Sequence, residues 1–308
     1  MATQERTESR FRLSGPDLKY LALLAAGIGI VFWDVILLEK AFLSGDHLIQ
    51  HYPWAKFLQD SIRHFRLPWW TSEIQCGFPL LAEGQIGAFY PPNLLFLSFL
   101  PLRWAYNYEI LFHFCLGSFF FYLYVRRLGL SRNAAFFAAL IFIFGSAEGG
   151  FFYNVTSQRV SIWFPLSLFL MERLFERTTR RDVAFLGLVF ALEIFAGYQQ
   201  IAIYTLAFSV LYYLLRLTPW GSPSRVANRI RPLIGLGAAL LIGAAVSAMQ
   251  WFPFLELSGF SVRHEATESL AYMGSPLPPF LMTLLFPDWT GLWSGGVYVG
   301  VLGLFFVL

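Results

Sequence analysis

The sequence predicts an all-α polytopic membrane protein, a bundle of about eight membrane segments with a long, ordered loop between the first two. Three observations predict it. Of 308 residues, 57% are hydrophobic and 19% aromatic against 13% charged, so a soluble domain of this composition would expose more apolar surface than water tolerates. Apolar runs recur along the chain at lengths near that of a bilayer crossing. Lysine and arginine gather in every second connection, the pattern of a chain threaded back and forth through a membrane. The net charge of +3 carries no nucleic-acid reading, because in such a chain the placement of the basic residues matters and not their sum.

Residues 1–17 are polar and carry Arg6, Arg10 and Arg12, and an apolar run follows over 18–38. A signal peptide has an apolar core of about 7–15 residues and a small-residue cleavage site. This run has 21 residues and ends in the bulky WDVILLEK, so it reads as a retained first transmembrane helix. Further apolar segments follow at 103–125, 133–145, 159–175, 183–196, 201–217 and 232–250, and an eighth begins near Val297 and is cut off by the end of the chain. Residues 1–308 are thus expected to be a single transmembrane domain truncated at its C-terminus, with large outer loops at 39–93 and 250–296.

The N-terminal tail together with Lys19, the RRLGLSR turn, the MERLFERTTRRD turn and the 216–232 loop hold 15 of the 22 lysines and arginines. The positive-inside rule makes these four segments cytoplasmic and turns the 44–93 loop outward, at the plasma or inner membrane. That loop is too rich in tryptophan and phenylalanine to be disordered. Within it, Pro53 opens a helix on which Trp54, Phe57, Leu58, Ile62 and Phe65 keep helical spacing while Lys56, Asp60 and Arg63 fall elsewhere, predicting an amphipathic helix over 53–66 in the outer interface. Nine of the ten tryptophans fall on the outer side, as an interfacial platform or as rings that stack on a sugar.

Two segments are short. The runs 133–145 and 183–196 have 13 and 14 residues, where a straight crossing takes about 20. Either they stop short, leaving GSAEGGFFYNVTSQ and AGYQQ around a cavity open to the outer leaflet, or the helices continue through those residues at ordinary length.

Several side chains carry candidate chemistry. Asp46 lies just beyond the first helix, where a partly dry interface would suit a carboxylate to act as a general base; a helix cap or solvated loop charge is the alternative. Gln50 shares that link. Glu83 and Gln85, in AEGQIG, are candidates to line the same site, and Asp288 in FPDW is a further acidic candidate. Arg159, and Arg263 with His264 beside it, are outer-side residues able to bind an anionic group, with loop salt bridges as the alternative reading. His47 and His51 have the i, i+4 spacing of metal-binding helices, but Pro53 close behind weakens a helix there, and no metal ligand is assigned. Cys76 and Cys115 fall at different depths and predict packing residues, not a disulfide. Asn154-Val155-Thr156 matches a glycosylation sequon, a motif common by chance.

The runs GDHLIQHYPW, LPWW, CGFPLLAEGQIGAFYPPN, AGYQQIAIY, MQWFPFLELSGFSVR and LLFPDW together resemble the bacterial YfhO-like membrane proteins, members of the GT-C superfamily of polytopic glycosyltransferases. The resemblance covers nearly the whole chain and implies a GT-C-like transmembrane bundle. It implies an enzyme that transfers a sugar, with inversion, from a polyprenyl-phosphate donor to an acceptor on the outer face. Asp46 matches the family's catalytic aspartate, and Gln200 falls in the AGYQQ turn, where the family commonly has Gly-His-x-Gln. No second acidic residue adjoins Asp46, so no cofactor is assigned and a divalent metal is left open. The resemblance further implies additional helices and an outer domain beyond Leu308. The competing classes are a transporter or flippase of lipid-linked sugars, which needs ionisable groups along a path through the membrane, and a noncatalytic assembly protein. Glu193, in the 183–196 run, is the nearest approach to such a group.

Overall fold

The computed structural model describes residues 13–43, 45–74, 76–145, 154–217 and 230–260. Arg263, His264, Asp288, most of the 250–296 loop and the segment expected from Val297 lie outside the described residues. Among the described residues every regular element is helical, apart from an isolated antiparallel bridge between Thr71 and Phe78.

Helix α1 (Gly15–Val31) opens at Ser14, whose backbone N–H donates to Asp17 at 3.0 Å, and stops at Phe32 before the single turn α2 (Trp33–Ile36). A π-helical turn (His47–His51) runs directly into α3 (Tyr52–Arg63), and the loop then contributes the short α4 (Leu80–Glu83) and α5 (Pro91–Phe99). The long α6 (Leu102–Arg127) is followed by α7 (Arg132–Phe144), α8 (Val155–Ser161), α9 (Phe164–Glu176), α10 (Arg180–Phe195), α11 (Gln199–Leu217), α12 (Ile230–Val246) and α13 (Ala248–Gly259).

Breaks interrupt several of the expected continuous segments. The 159–175 run divides at Ile162–Trp163, where Pro165 starts a new helix, as a residue without an N–H does best in a first turn. The 232–250 run divides at Ser247, with α12 and α13 bent by 74°. Among the described residues, only α6 is by itself long and apolar enough to cross a membrane, and the α12–α13 pair passes as a broken span. The short segments are α7, with 13 residues, and α10, with 16.

Packing is closest where side chains are smallest. A Cβ on Gly187 of α10 would stand 2.7 Å from Ile242 of α12, and one on Gly243 would stand 2.8 Å from Phe190, so the glycines let these two helices approach. Large apolar side chains remain exposed on the outer faces of α1, α11 and α12, among them Ile30, Phe208 and Leu241.

Among the described residues, the basic side chains of the RRLGLSR and MERLFERTTRRD turns and Arg216 gather at one end of the bundle. Asp17 accepts from Arg126 Nε at 3.0 Å, Arg132 Nε at 3.2 Å and the Tyr122 hydroxyl at 2.9 Å, tying α1 to the end of α6 and the start of α7. Arg127 reaches Glu176, Arg173 reaches Asp182, and Arg216 bonds Glu172 through two nitrogens, each at 2.8 Å, joining α9 to α6, α10 and α11 at the same end.

The 44–93 loop packs on the other end. On α3, Trp54 and Leu58 are buried and Phe57 and Ile62 pack on the core, as expected of the apolar face. Phe65 departs from it. The helix ends at Arg63, and Phe65 takes φ 52° and is 99% exposed, so its ring leaves the face that carries the other four. Gln59, buried on α3, donates to the carbonyls of Leu97 and Leu100, both at 2.9 Å, and so satisfies the end of α5.

Candidate functional site

Four of the sequence runs singled out above meet at one place. The turn after α4 reverses at Gly84, φ +91°, and a Cβ there would stand 2.6 Å from Gln199 Nε2 and 2.8 Å from Gln250 Nε2. The turn between α10 and α11 reverses at Gly197, φ +98°, where a Cβ would stand 2.4 Å from the Gly84 carbonyl. Both positions need glycine, because the left-handed backbone disfavours a side chain and the neighbouring chain occupies its space. The AGYQQ turn is therefore covered by AEGQIG, which is how irregular backbone at the end of a short apolar helix finds a polar surrounding.

Polar side chains converge on this contact. Glu83 accepts from the Gln85 N–H at 2.9 Å and from the Gln85 side-chain amide, and Gln50 donates to Gln85 Oε1 at 3.3 Å. Gln250, fully buried, donates to the Leu81 carbonyl at 3.1 Å while its Oε1 has no partner, and Gln199 Nε2 is also unpartnered. Glu83, Gln85, Gln50 and Gln199 are half-buried, and the unpartnered Gln199 Nε2 is itself enclosed. Burial pushes the Glu83 carboxyl up to about 7 against the opposing pull of the two Gln85 donors.

Beside the junction lies a small cavity lined by His51, Trp54, Gln85, Asn93 and Arg159, among others. Burial, with smaller contributions from Arg159 and His47, brings His51 down to about 3 and keeps it neutral. His51 Nε2 and Asn93 Oδ1 are unpartnered, although Asn93 donates to the Ile86 and Gly87 carbonyls at 3.0 and 3.1 Å. His47 pairs through Nδ1 with the Tyr106 hydroxyl at 2.7 Å. Among the described residues no group of three His, Cys, Asp or Glu is gathered that could hold a metal.

The structure bears on three of the positions singled out in the sequence. Arg159 is not available as a phosphate clamp: its Nε and a terminal nitrogen bond the two oxygens of Glu109 at 2.7 and 2.6 Å, and both side chains are about 95% buried. Glu109 escaped notice because it lies within an apolar stretch on α6. Gln200 faces outward and donates to the Tyr204 hydroxyl at 3.0 Å, while Gln199, one residue earlier, meets Gly84. Asn154 caps α8, accepting from the Thr156 and Ser157 N–H groups, both at 3.0 Å, so the Asn-Val-Thr run is here a helix start.

Asp46 is exposed at the start of the π-helical turn and does not line the cavity. The Gln50–Gln85 bond nevertheless ties its segment to the turn that carries Glu83. Three further cations at the loop end of the bundle are engaged: Lys40 with Asp34 at 2.8 Å, Lys56 with Asp60, and Arg103 with the Leu38 carbonyl. Comparison with models of protein families, with curated proteins and with solved structures returns no match.

Proposed function

We propose that the chain is a multi-pass membrane glycosyltransferase that moves a sugar from a polyprenyl-phosphate donor to an acceptor at the outer face, with inversion. The observation that carries the reading is the convergence of GDHLIQ, AEGQIG, AGYQQ and MQW, four runs quoted for the family resemblance and far apart in sequence, on the Gly84–Gly197 contact. The exposed apolar faces of α1, α11 and α12 support a lipid surrounding, and the ion-paired end supports a cytoplasmic side opposite the loop.

In this reaction Asp46 takes the proton of the acceptor hydroxyl, the acceptor oxygen bonds the anomeric carbon, and the bond from that carbon to the phosphate oxygen breaks, leaving its electron pair on polyprenyl phosphate. A single displacement inverts the anomeric centre. With Arg159 committed to Glu109, Arg263 is the arginine assigned to the departing phosphate. Sugar transfer by wild type and Asp46→Asn in membranes tests the reading, the variant being slower by about 10² to 10⁴ where a general base contributes its usual share.

One observation favours a transporter of lipid-linked sugars. Glu193 is fully buried in α10, bonded to the Thr205 hydroxyl at 2.8 Å, with its other oxygen unpartnered, and a buried carboxyl in an apolar helix is the mark of a transport path. Glu193→Gln separates the two: it abolishes lipid-linked sugar translocation in a transporter and leaves transfer intact in the enzyme.

A further inference from the structure

The Gly84–Gly197 junction holds a set of polar atoms that its own residues do not satisfy. Gln199 Nε2 is a donor without an acceptor, and Gln250 Oε1 is an acceptor without a donor on a fully buried side chain. Both amides lie against Gly84, one residue from the Glu83 carboxylate. Leaving buried amide atoms unpaired is costly, so a molecule that supplies both a donor and an acceptor there gains from pairing them. Hydroxyl groups do so, each offering one hydrogen and two lone pairs.

We propose that Glu83, Gln199 and Gln250 form a subsite for adjacent hydroxyls of a sugar ring, in which the Glu83 carboxylate accepts hydroxyl hydrogens while Gln199 donates to and Gln250 accepts from the same ring. This rests on the glycosyl-transfer reading for the origin of the ring, which belongs either to the polyprenyl-linked donor or to a saccharide acceptor.

No cation pairs with Glu83 among the described residues. Against α4 packs α13, whose ionisable residue, Glu256, is exposed; the Gly197 turn brings Tyr198; the π-helical turn side brings Asp46, His47 and His51; and Arg159, across Gln85, is held by Glu109. Charged acceptors form stronger hydrogen bonds than neutral ones. The ionised carboxylate is thus the form that takes a hydroxyl, and with a midpoint near 7 its population rises about tenfold between about pH 6 and about pH 8.

The test is direct binding to the full chain in nanodiscs, using three probes: a short-chain prenyl phosphodiester of glucose, the methyl phosphodiester of the same prenol, and methyl glucoside. A phosphodiester keeps one charge across this range, so a pH step belongs to the protein. The sugar-bearing probe should bind about tenfold more tightly at about pH 8 than at about pH 6, in line with the fraction of binding-competent Glu83. Glu83→Gln should abolish that step, Glu83→Asp should keep one, and Gln199→Leu should weaken binding while leaving the midpoint in place. A step with the prenyl-linked glucose but not with methyl glucoside assigns the subsite to the donor; a step with methyl glucoside alone assigns it to the acceptor and removes support for the lipid-linked donor. Binding of both prenyl probes without a pH step, a step retained in Glu83→Gln, or absence of binding by every probe overturns the subsite. If Glu83→Gln fails to fold, an unchanged affinity in Gln199→Leu overturns it as well.

Discussion

Replacing Arg159 by methionine should be among the most destabilising single changes in the described part of the chain. The guanidinium donates two parallel bonds to Glu109, at 2.7 and 2.6 Å, and the two side chains are only 5% and 4% exposed. Removing one partner leaves the other charge buried and uncompensated, which costs about 3–5 kcal/mol. For a chain of this size each kcal/mol moves the melting midpoint by about 2–4 °C, so Arg159→Met should melt roughly 6–20 °C lower. The double variant Glu109→Leu/Arg159→Met removes both charges and should recover most of that loss, because a buried pair is often nearly neutral against apolar residues of similar volume. Thermal unfolding in nanodiscs, followed by intrinsic tryptophan fluorescence, measures all the variants needed. A shift under about 2 °C for Arg159→Met, or a double variant as unstable as the sum of the singles, would refute the assignment of Arg159 to a structural pair. Loss of donor binding at unchanged stability would restore it to the phosphate.

Other outcomes follow from the same geometry. Gly197→Ala places a methyl 2.4 Å from the Gly84 carbonyl at φ +98°, so the junction must open; the expected cost is at least the roughly 1–3 kcal/mol of a strained backbone, read as a lower melting midpoint. His51, held neutral down to about 3, contributes stability that is full above its unfolded value of 6.5 and is lost as pH falls toward 3. Glu83, raised to about 7, contributes stability that is full below 4.5 and is lost as pH rises through 7. Melting curves across pH should therefore lose the alkaline decline in Glu83→Gln and keep the acid one, and the reverse result would contradict the assignments. For topology, an impermeant thiol reagent should reach a cysteine placed at Ser72 and not one placed at Thr178; the opposite pattern reverses the orientation.

The helical class was legible in composition and apolar periodicity, and so were the boundaries of α7 and the apolar face of α3. The breaks were not, because a single proline such as Pro165 or serine such as Ser247 lowers the local hydropathy too little to end an apolar run. Glu83, Gln85 and Gln50 were found as candidates from their loop, and the structure joins them by hydrogen bonds. Gln199 was missed in favour of Gln200 because adjacent helix positions differ by about 100° in direction, and only the docking of Gly197 on Gly84 fixes which one turns inward. Glu109 could have been suspected on one ground: an ionised carboxylate inside an apolar helix needs a charged or hydrogen-bonding partner, and Arg159, at the start of the 159–175 run, was one candidate.

The central claim is most directly tested by reconstituting the chain in liposomes containing a radiolabelled polyprenyl-phosphate sugar and outer-face acceptors. The measured quantity is the rate at which label leaves the lipid for the acceptor, with the anomeric configuration of the product. The account predicts transfer with inversion by wild type and a rate about 10² to 10⁴ lower in Asp46→Asn with donor binding retained. No transfer by wild type, retention of configuration, or a normal rate in Asp46→Asn would contradict it.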